Sequence, residues 1–406
     1  MLPQRKPMRW MVARGTKLCY DGSEIHRRND ERMKISKKDA LMWFRFFAEL
    51  PEDEPLMPHQ QELAWAVISQ IETAVDARHK ELMAQIPDLH TLGGRTYFVG
   101  DPAKFSKGCA SCLTGTGLSA IRRTNKCNIR CPFCYNYGEL DCQETIGEGL
   151  WEIGGTYFRV EDIDLLLSTS NRPTGVSYVY LEPFMEIELY PDIIRKFRAA
   201  GIHQHMYTNG TLCTEENLRA LGEAGLDELR FNLGATSCAD NVIQNIATAK
   251  KYIPTVAIET PMTPDFYEHF QQKKDAILAT GLDFINCAEL HLNPNNLPNY
   301  IGTPMYMTRR GYVSPIWSRE ITFRLMRQCA EEHWGIVVHD CSNHTKFARD
   351  LNLRAKEGGW FGASSYHSEF DQIPFEAFLP TLEDSDFRFL EEEPLPKGYR
   401  PGDIVL

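Results

Sequence analysis

The sequence predicts an α/β protein: a partial (β/α)6 TIM-like barrel with a helical N-terminal extension and an irregular C-terminal tail. Two observations carry that expectation. From about Leu118 to Asn293, short apolar runs alternate with amphipathic helical stretches across short turns, the pattern of repeated βα units on a parallel sheet. Before that stretch, apolar residues recur at helical spacing instead. An open doubly wound sheet is the alternative arrangement of the same elements.

In chain order, Ser36 is placed to cap a helix through KKDALMWFRFFAEL. After the Pro-rich turn PEDEPLMP, a second helix runs from about Pro58, with Trp65, Ile68, Ile71 and Val75 on one face. The six strands are read at 118–124, 176–183, 202–208, 227–233, 254–260 and 283–293. Thr214 caps the helix EENLRALGEAG, and Asn209-Gly210 is a turn pair. A loop rich in Asn and Pro follows Asn293, then a helix near 318–334 and a short strand, GIVVHD. The expected domains are 1–105 as the helical extension, 106–345 as the barrel, and 346–406 as an acidic, aromatic tail packed on it.

Composition narrows the function classes. The chain has 406 residues, 43% hydrophobic, enough for a large core. A formal net charge of -11 disfavours a nucleic-acid partner, since phosphates would be repelled. No segment approaches the roughly 20 apolar residues that span a bilayer, so no membrane partner is expected and the expected location is cytoplasmic. Six of the twelve cysteines (Cys109, Cys112, Cys127, Cys131, Cys134 and Cys142) fall in one short window, which in an unexported protein points to metal rather than disulfides.

The sharpest signal is Cys127-Asn-Ile-Arg-Cys131-Pro-Phe-Cys134, directly after the first strand. Three thiolates on one loop can hold a 4Fe–4S cluster while leaving one iron without protein sulfur. A zinc knuckle is the competing reading, although zinc sites usually pair C-x-x-C units. The spacing C-x-x-x-C-x-aromatic-C, with Phe133 at the aromatic position, resembles the signature of the radical S-adenosylmethionine (SAM) superfamily over roughly residues 115–345. The resemblance implies a 4Fe–4S cluster on Cys127, Cys131 and Cys134, and reductive cleavage of SAM to methionine and a 5′-deoxyadenosyl radical. It implies hydrogen abstraction from a substrate and an electron donor such as flavodoxin or ferredoxin.

Other residues follow from the same resemblance. The family's Gly-Gly-Glu-Pro turn is matched by Tyr180-Leu181-Glu182-Pro183, which keeps Glu182 and Pro183 but neither glycine. Thr208-Asn209-Gly210 matches the end of the third strand. Arg230 and Asn232, two apart on the fourth strand, share a face and are placed to meet SAM if that face is inward. Glu259 on the fifth strand is a further inward candidate, as are Glu289, His291 and Asn293 on the sixth. Cys109-Ala-Ser-Cys112 is half of a metal site, a candidate for a second iron or zinc with Cys142 and Cys341 as the two further ligands. A C-x-x-C ahead of the motif, with Cys341-Ser342 and Lys346 near the barrel's end, is similar to a group of archaeal-type members. Cys287 is read as a core residue or as facing the substrate. The substrate is expected to be a peptide or protein. A small-molecule metabolite, a methyl or sulfur transfer, and a non-catalytic iron–sulfur or zinc scaffold are the alternatives.

Overall fold

A computed structural model describes residues 35–49, 58–94, 96–114, 118–124, 126–136, 146–153, 156–168, 173–308, 311–345, 373, 375–384 and 386–389. These fall into two compact units. One comprises the residues up to 82, 291–316 and those from 373 onward; the other comprises 83–290 and 317–345.

The larger unit is an α/β sheet. Seven parallel strands form its centre: β1 (Leu118–Arg122), β2 (Gly175–Tyr178), β3 (His203–Thr208), β4 (Glu228–Phe231), β5 (Thr255–Pro261), β6 (Phe284–Ala288) and β7 (Val337–Cys341), each neighbouring the next. All six expected strands are present in the expected order, and the GIVVHD segment adds the seventh. Antiparallel hairpins flank the array, Trp151–Ile153 with Thr156–Phe158 beside β1, and His90–Leu92 with Thr96–Val99 beside β7. That second hairpin lies inside the stretch read from sequence as helical. Its pairing to β7, with Phe98 opposite His339, overrides the local preference.

The crossover helices are amphipathic for visible reasons. Tyr190–Ala199 buries Tyr190, Ile193, Ile194 and Phe197 at i, i+3, i+4 and i+7. Glu215–Ala224 begins at Thr214, whose hydroxyl accepts from Asn217 N–H, and ends at Gly225 with φ 99°. Two neighbours show which strand face meets the helices. Gln204 Nε2 donates to the Ile194 carbonyl, and Asp340 pairs with Arg319 of helix Ile316–Glu332. Alternation then turns His205, Tyr207, Glu228, Arg230, Glu259, Asn286 and His339 to the opposite face, the lumen of a partial barrel. Phe98, Ala257, Phe284 and Val337 form an apolar cluster there, with Phe105 packed against it.

Two strands are shorter than the apolar runs suggested. β2 stops at Tyr178 because Tyr180 and Leu181 take left-handed φ values of 79° and 50°, which no strand accommodates. β6 stops at Ala288; Glu289 N–H turns to the Cys341 carbonyl, and the chain enters the other unit after Leu290.

In the smaller unit, helix Lys37–Glu49 starts at Ser36 as expected, the Ser36 hydroxyl accepting from Asp39 N–H at 3.1 Å. Phe44 packs edge-on against Phe375 and Phe378. In helix Pro58–Met83, Ile68, Ile71 and Val75 are fully buried and Trp65 is half-buried.

Candidate active site

β1 delivers the chain into the cysteine loop at the carboxyl ends of the strands, where α/β sheets concentrate their chemistry. Cys127, Cys131 and Cys134 are all half-buried, and Cys134 N–H donates to the Cys131 carbonyl at 3.0 Å. Burial, together with the charges of Cys134, Cys127 and Glu182, pushes the Cys131 thiol up to about 12. Burial first, and the Glu182 charge, raise the Cys127 thiol, while the neighbouring N–H groups of Ile129 and Asn128 and the Asn209 side chain act to lower it. Phe133 is buried and anchors the loop.

The loop is tied to two strand ends. Asn128, between the first two cysteines, accepts from Asn209 Nδ2 at 2.8 Å and donates to the Thr211 hydroxyl at 2.8 Å. Asn209 Oδ1 accepts from both the N–H and the hydroxyl of Thr211. Gly210 follows with φ 78°; a Cβ there would lie 2.7 Å from Phe231 and Val242, so the turn has no room for a side chain.

Glu182 is the second tie. Its N–H donates to the Lys126 carbonyl at 3.0 Å. Its carboxylate, with no exposed surface, accepts from the Thr208 hydroxyl (2.8 Å), Asn209 N–H (2.7 Å) and Phe184 N–H (3.1 Å). Pro183 opens the short 3-10 segment that Glu182 caps. Tyr180 and Leu181, which stand where the Gly-Gly pair was expected, hold the left-handed conformation that glycine would adopt freely, at about 1–2 kcal/mol per residue.

Burial drives the Glu182 carboxyl up to about 7, against the three hydrogen bonds. Its folded-state value thus lies above its ordinary one, so the folded chain binds this proton more tightly than the unfolded chain. Stability should fall as pH rises from about 4.5 to about 7, by on the order of 3 kcal/mol, and then level off. In Glu182→Gln that component of the slope should vanish, which urea unfolding at several pH values measures. An unchanged slope would place the titration elsewhere.

A second polar network fills the lumen. Arg230, almost fully buried, donates from Nε to Glu228, from Nη1 to Glu259 and Tyr207, and from Nη2 to Ser106 and Cys109. Glu228 also accepts the Ser106 hydroxyl at 2.9 Å. Burial opposes ionisation of Glu228, but Arg230, His203 and His205 outweigh it and hold the carboxyl well below the usual range. Arg230 and Glu259, expected as inward residues, do meet in the lumen. Asn232 lies just past β4, where its Oδ1 accepts from the Thr260 hydroxyl (2.7 Å) and Ala235 N–H (3.2 Å).

Of the remaining cysteines, Cys109 and Cys112 sit on helix Lys107–Thr114. Cys109 is buried against Arg230, and burial pushes its thiol up. The charge of Cys341, on the same face as His339 of β7, also acts on it. Cys142, Lys346 and Cys19 lie outside the described residues. Cys287 is buried on the helix-facing side of β6, among Asp340, Cys329 and Cys341, so the substrate-facing reading does not fit. Glu289, His291 and Asn293 do not share a strand face, because β6 has ended. Glu289 accepts Asn343 N–H at 2.7 Å, His291 packs on the Tyr312 ring, and Asn293 organises its own turn with Asn295 and Asn296. Sequence reasoning missed Asn128, Ser106, Tyr207 and Glu228. Only Glu228 had a local signal, alternation with Arg230 on one strand.

The donor set fits an iron–sulfur cluster: three part-exposed thiols on one short loop, with the Glu182 backbone tied to the start of that loop at Lys126. Residues 121–272 match the family described as the radical SAM superfamily. A provisionally named glycyl-radical enzyme activating enzyme of Methanocaldococcus jannaschii is 26% identical over 202 residues, 48% of this chain and 52% of that one. The tungsten-containing aldehyde ferredoxin oxidoreductase cofactor-modifying protein of Pyrococcus furiosus is 23% identical over 184 residues, 39% and 48%. The PqqA peptide cyclase of Methylocella silvestris is 26% identical over 125 residues, 30% of each chain. The chain thus spans about half the length, or less, of these curated relatives. The crystal structure of Streptococcus suis SuiB bound to S-adenosylmethionine aligns at a TM-score of 0.33 and 14% identity, over 42% of this chain and 40% of that one. Among the described residues, no helix is long and apolar enough to cross a membrane.

Proposed function

We propose, from the premise that this chain belongs to the radical SAM superfamily, that it reductively cleaves SAM and abstracts hydrogen from a peptide or protein substrate. The observation that carries the reading is the hydrogen-bonded line from the cysteine loop through Asn128 and Asn209 to Glu182. It unites the cluster motif with the strand-end residues that the family uses for SAM. When bound, a 4Fe–4S cluster with one open iron supplies the electron that divides SAM into methionine and a 5′-deoxyadenosyl radical, which takes hydrogen from the substrate.

The chain's residues have distinct tasks. Cys127, Cys131 and Cys134 would hold the cluster, with Phe133 keeping the loop folded. Glu182 would offer its carboxylate to the SAM ammonium, giving up its proton as the cation arrives. Asn209 and Pro183 fix that carboxylate's position. Asn232, at the mouth of β4, remains a candidate SAM contact. The N–H donors of Arg230 are committed to Glu228, Glu259, Tyr207, Ser106 and Cys109, so we assign Arg230 and Glu259 to shaping the lumen. The apolar cluster around Phe284 excludes water from it, as a primary radical requires. Flavodoxin or ferredoxin is the proposed electron source, and a second iron or zinc at Cys109 and Cys112 stays a proposal.

Glu182→Ala should weaken SAM binding by about 10- to 100-fold, the worth of one charge-assisted contact, with iron content unchanged. Titration of the reduced protein with SAM, followed by the change in its EPR spectrum, reads this. Equal affinity would remove Glu182 from the SAM site. The polypeptide reading draws on the likeness to a peptide cyclase. It is tested with size-fractionated extract from host cells grown on deuterated amino acids. Deuterium should enter 5′-deoxyadenosine from the polypeptide fraction; transfer solely from the small-molecule fraction would contradict it.

A further inference from the structure

A group of metal-binding character lies in the lumen, away from the cysteine loop. His203 and His205 alternate on β3 and face Glu228 on the neighbouring β4, and one ligand atom from each lies within 4.8 Å of the others. His205 is fully buried, and its Nδ1 has no hydrogen-bond partner; neither has the buried Nε2 of His203. A buried imidazole nitrogen left without a partner is costly unless something occupies it.

The surroundings match a metal rather than a chance cluster. On the other nitrogen of each ring, His205 Nε2 lies 3.3 Å from the Tyr207 hydroxyl, the kind of outer partner that holds a metal-ligating histidine in place, while His203 Nδ1 has the Asp227 carboxylate as a neighbour at 3.8 Å, beyond hydrogen-bond reach. Glu228 Oε2 lies 3.7 Å from His203 Nε2. Arg230 and Ser106 also bind Glu228, but each carboxylate oxygen has two lone pairs. Two carboxylates, Glu228 and Glu259, share the single guanidinium, so the pocket keeps a negative charge. Gly108 bounds the space: a Cβ there would lie 2.7 Å from His205 Nδ1 and 2.8 Å from Arg230 Nη2.

We infer that His203, His205 and Glu228 form a binding site for a divalent transition-metal ion of zinc type, independent of the cluster. Two imidazoles and one carboxylate are a common zinc donor set, leaving a fourth position for water. Such an ion would cross-link β3 and β4, and through Ser106 it would fix the start of helix Lys107–Thr114.

The test uses the full chain with its cluster loaded, dialysed against zinc and then against metal-free buffer. About one zinc per chain should remain, with an X-ray absorption shell of N/O atoms at about 2.0–2.1 Å. His203→Gln alters the least buried of the three ligands. It should lose that zinc and any zinc-dependent rise in Tm, while iron content and SAM cleavage stay at the wild-type level. No retained zinc, a sulfur shell at about 2.3 Å, or zinc retained by His203→Gln would each overturn the site. Because iron content and SAM cleavage are read separately, failure of the zinc site and failure of the radical SAM reading are distinguishable.

Discussion

Cys131→Ala should leave a folded chain that holds no intact cluster and produces no 5′-deoxyadenosine from SAM. Cys131 is half-buried on a loop outside every strand and helix, so its removal opens no core cavity and should cost stability little. Its loss to the site is total, because three thiolates are the smallest set that leaves one open iron on a four-iron cluster. With two protein sulfurs, a second iron is exposed and the cluster is lost. Iron and sulfide analysis after anaerobic reconstitution, with a thermal melt as control, checks both halves. A variant that loads four irons and cleaves SAM at the wild-type rate would refute the ligand assignment.

Arg230→Met should destabilise the larger unit severely. The substitution keeps much of the stem's bulk but leaves Glu228 and Glu259 without their shared counter-charge. Breaking a buried pair by removing one partner costs about 3–5 kcal/mol, which for a unit of this size lowers Tm by roughly 10 °C. The pH dependence separates charge from packing. In the wild type, Arg230 holds Glu228 well below the usual carboxylate range, so its contribution is present at neutral pH and lost as pH falls towards that depressed value. In Arg230→Met Glu228 protonates more readily, so the gap between variant and wild type should narrow from pH 7 to pH 4.5. A gap constant with pH would mean the loss is one of packing.

The fold was legible where its signal is local. Apolar runs such as VSYVY and FINCA, and caps such as Thr214 and Ser36, act within a few residues, and the structure places them as read. The hairpin His90–Leu92 with Thr96–Val99 was not legible, because its partner strand lies about 240 residues downstream. The end of β6 was missed because the polar alternation of Glu289, His291 and Asn293 imitates a strand while each residue satisfies its own turn or loop. At the site, the cysteine spacing is a sequence property. The tie of Asn128 to Asn209 and of Glu182 to Thr208 joins residues 81 and 26 positions apart, and only folding reveals it. The left-handed φ values of Tyr180 and Leu181 had no signal in the sequence, because neither residue type favours that conformation.

A Cys127–Cys134 loop that holds a four-iron cluster open for SAM should act on SAM alone once the anaerobically reconstituted chain is reduced and SAM is added without substrate. The expected result is slow formation of 5′-deoxyadenosine and methionine in equal amounts. Intact SAM, with the loop's three sulfurs bound to zinc or to a fully ligated cluster, would contradict it.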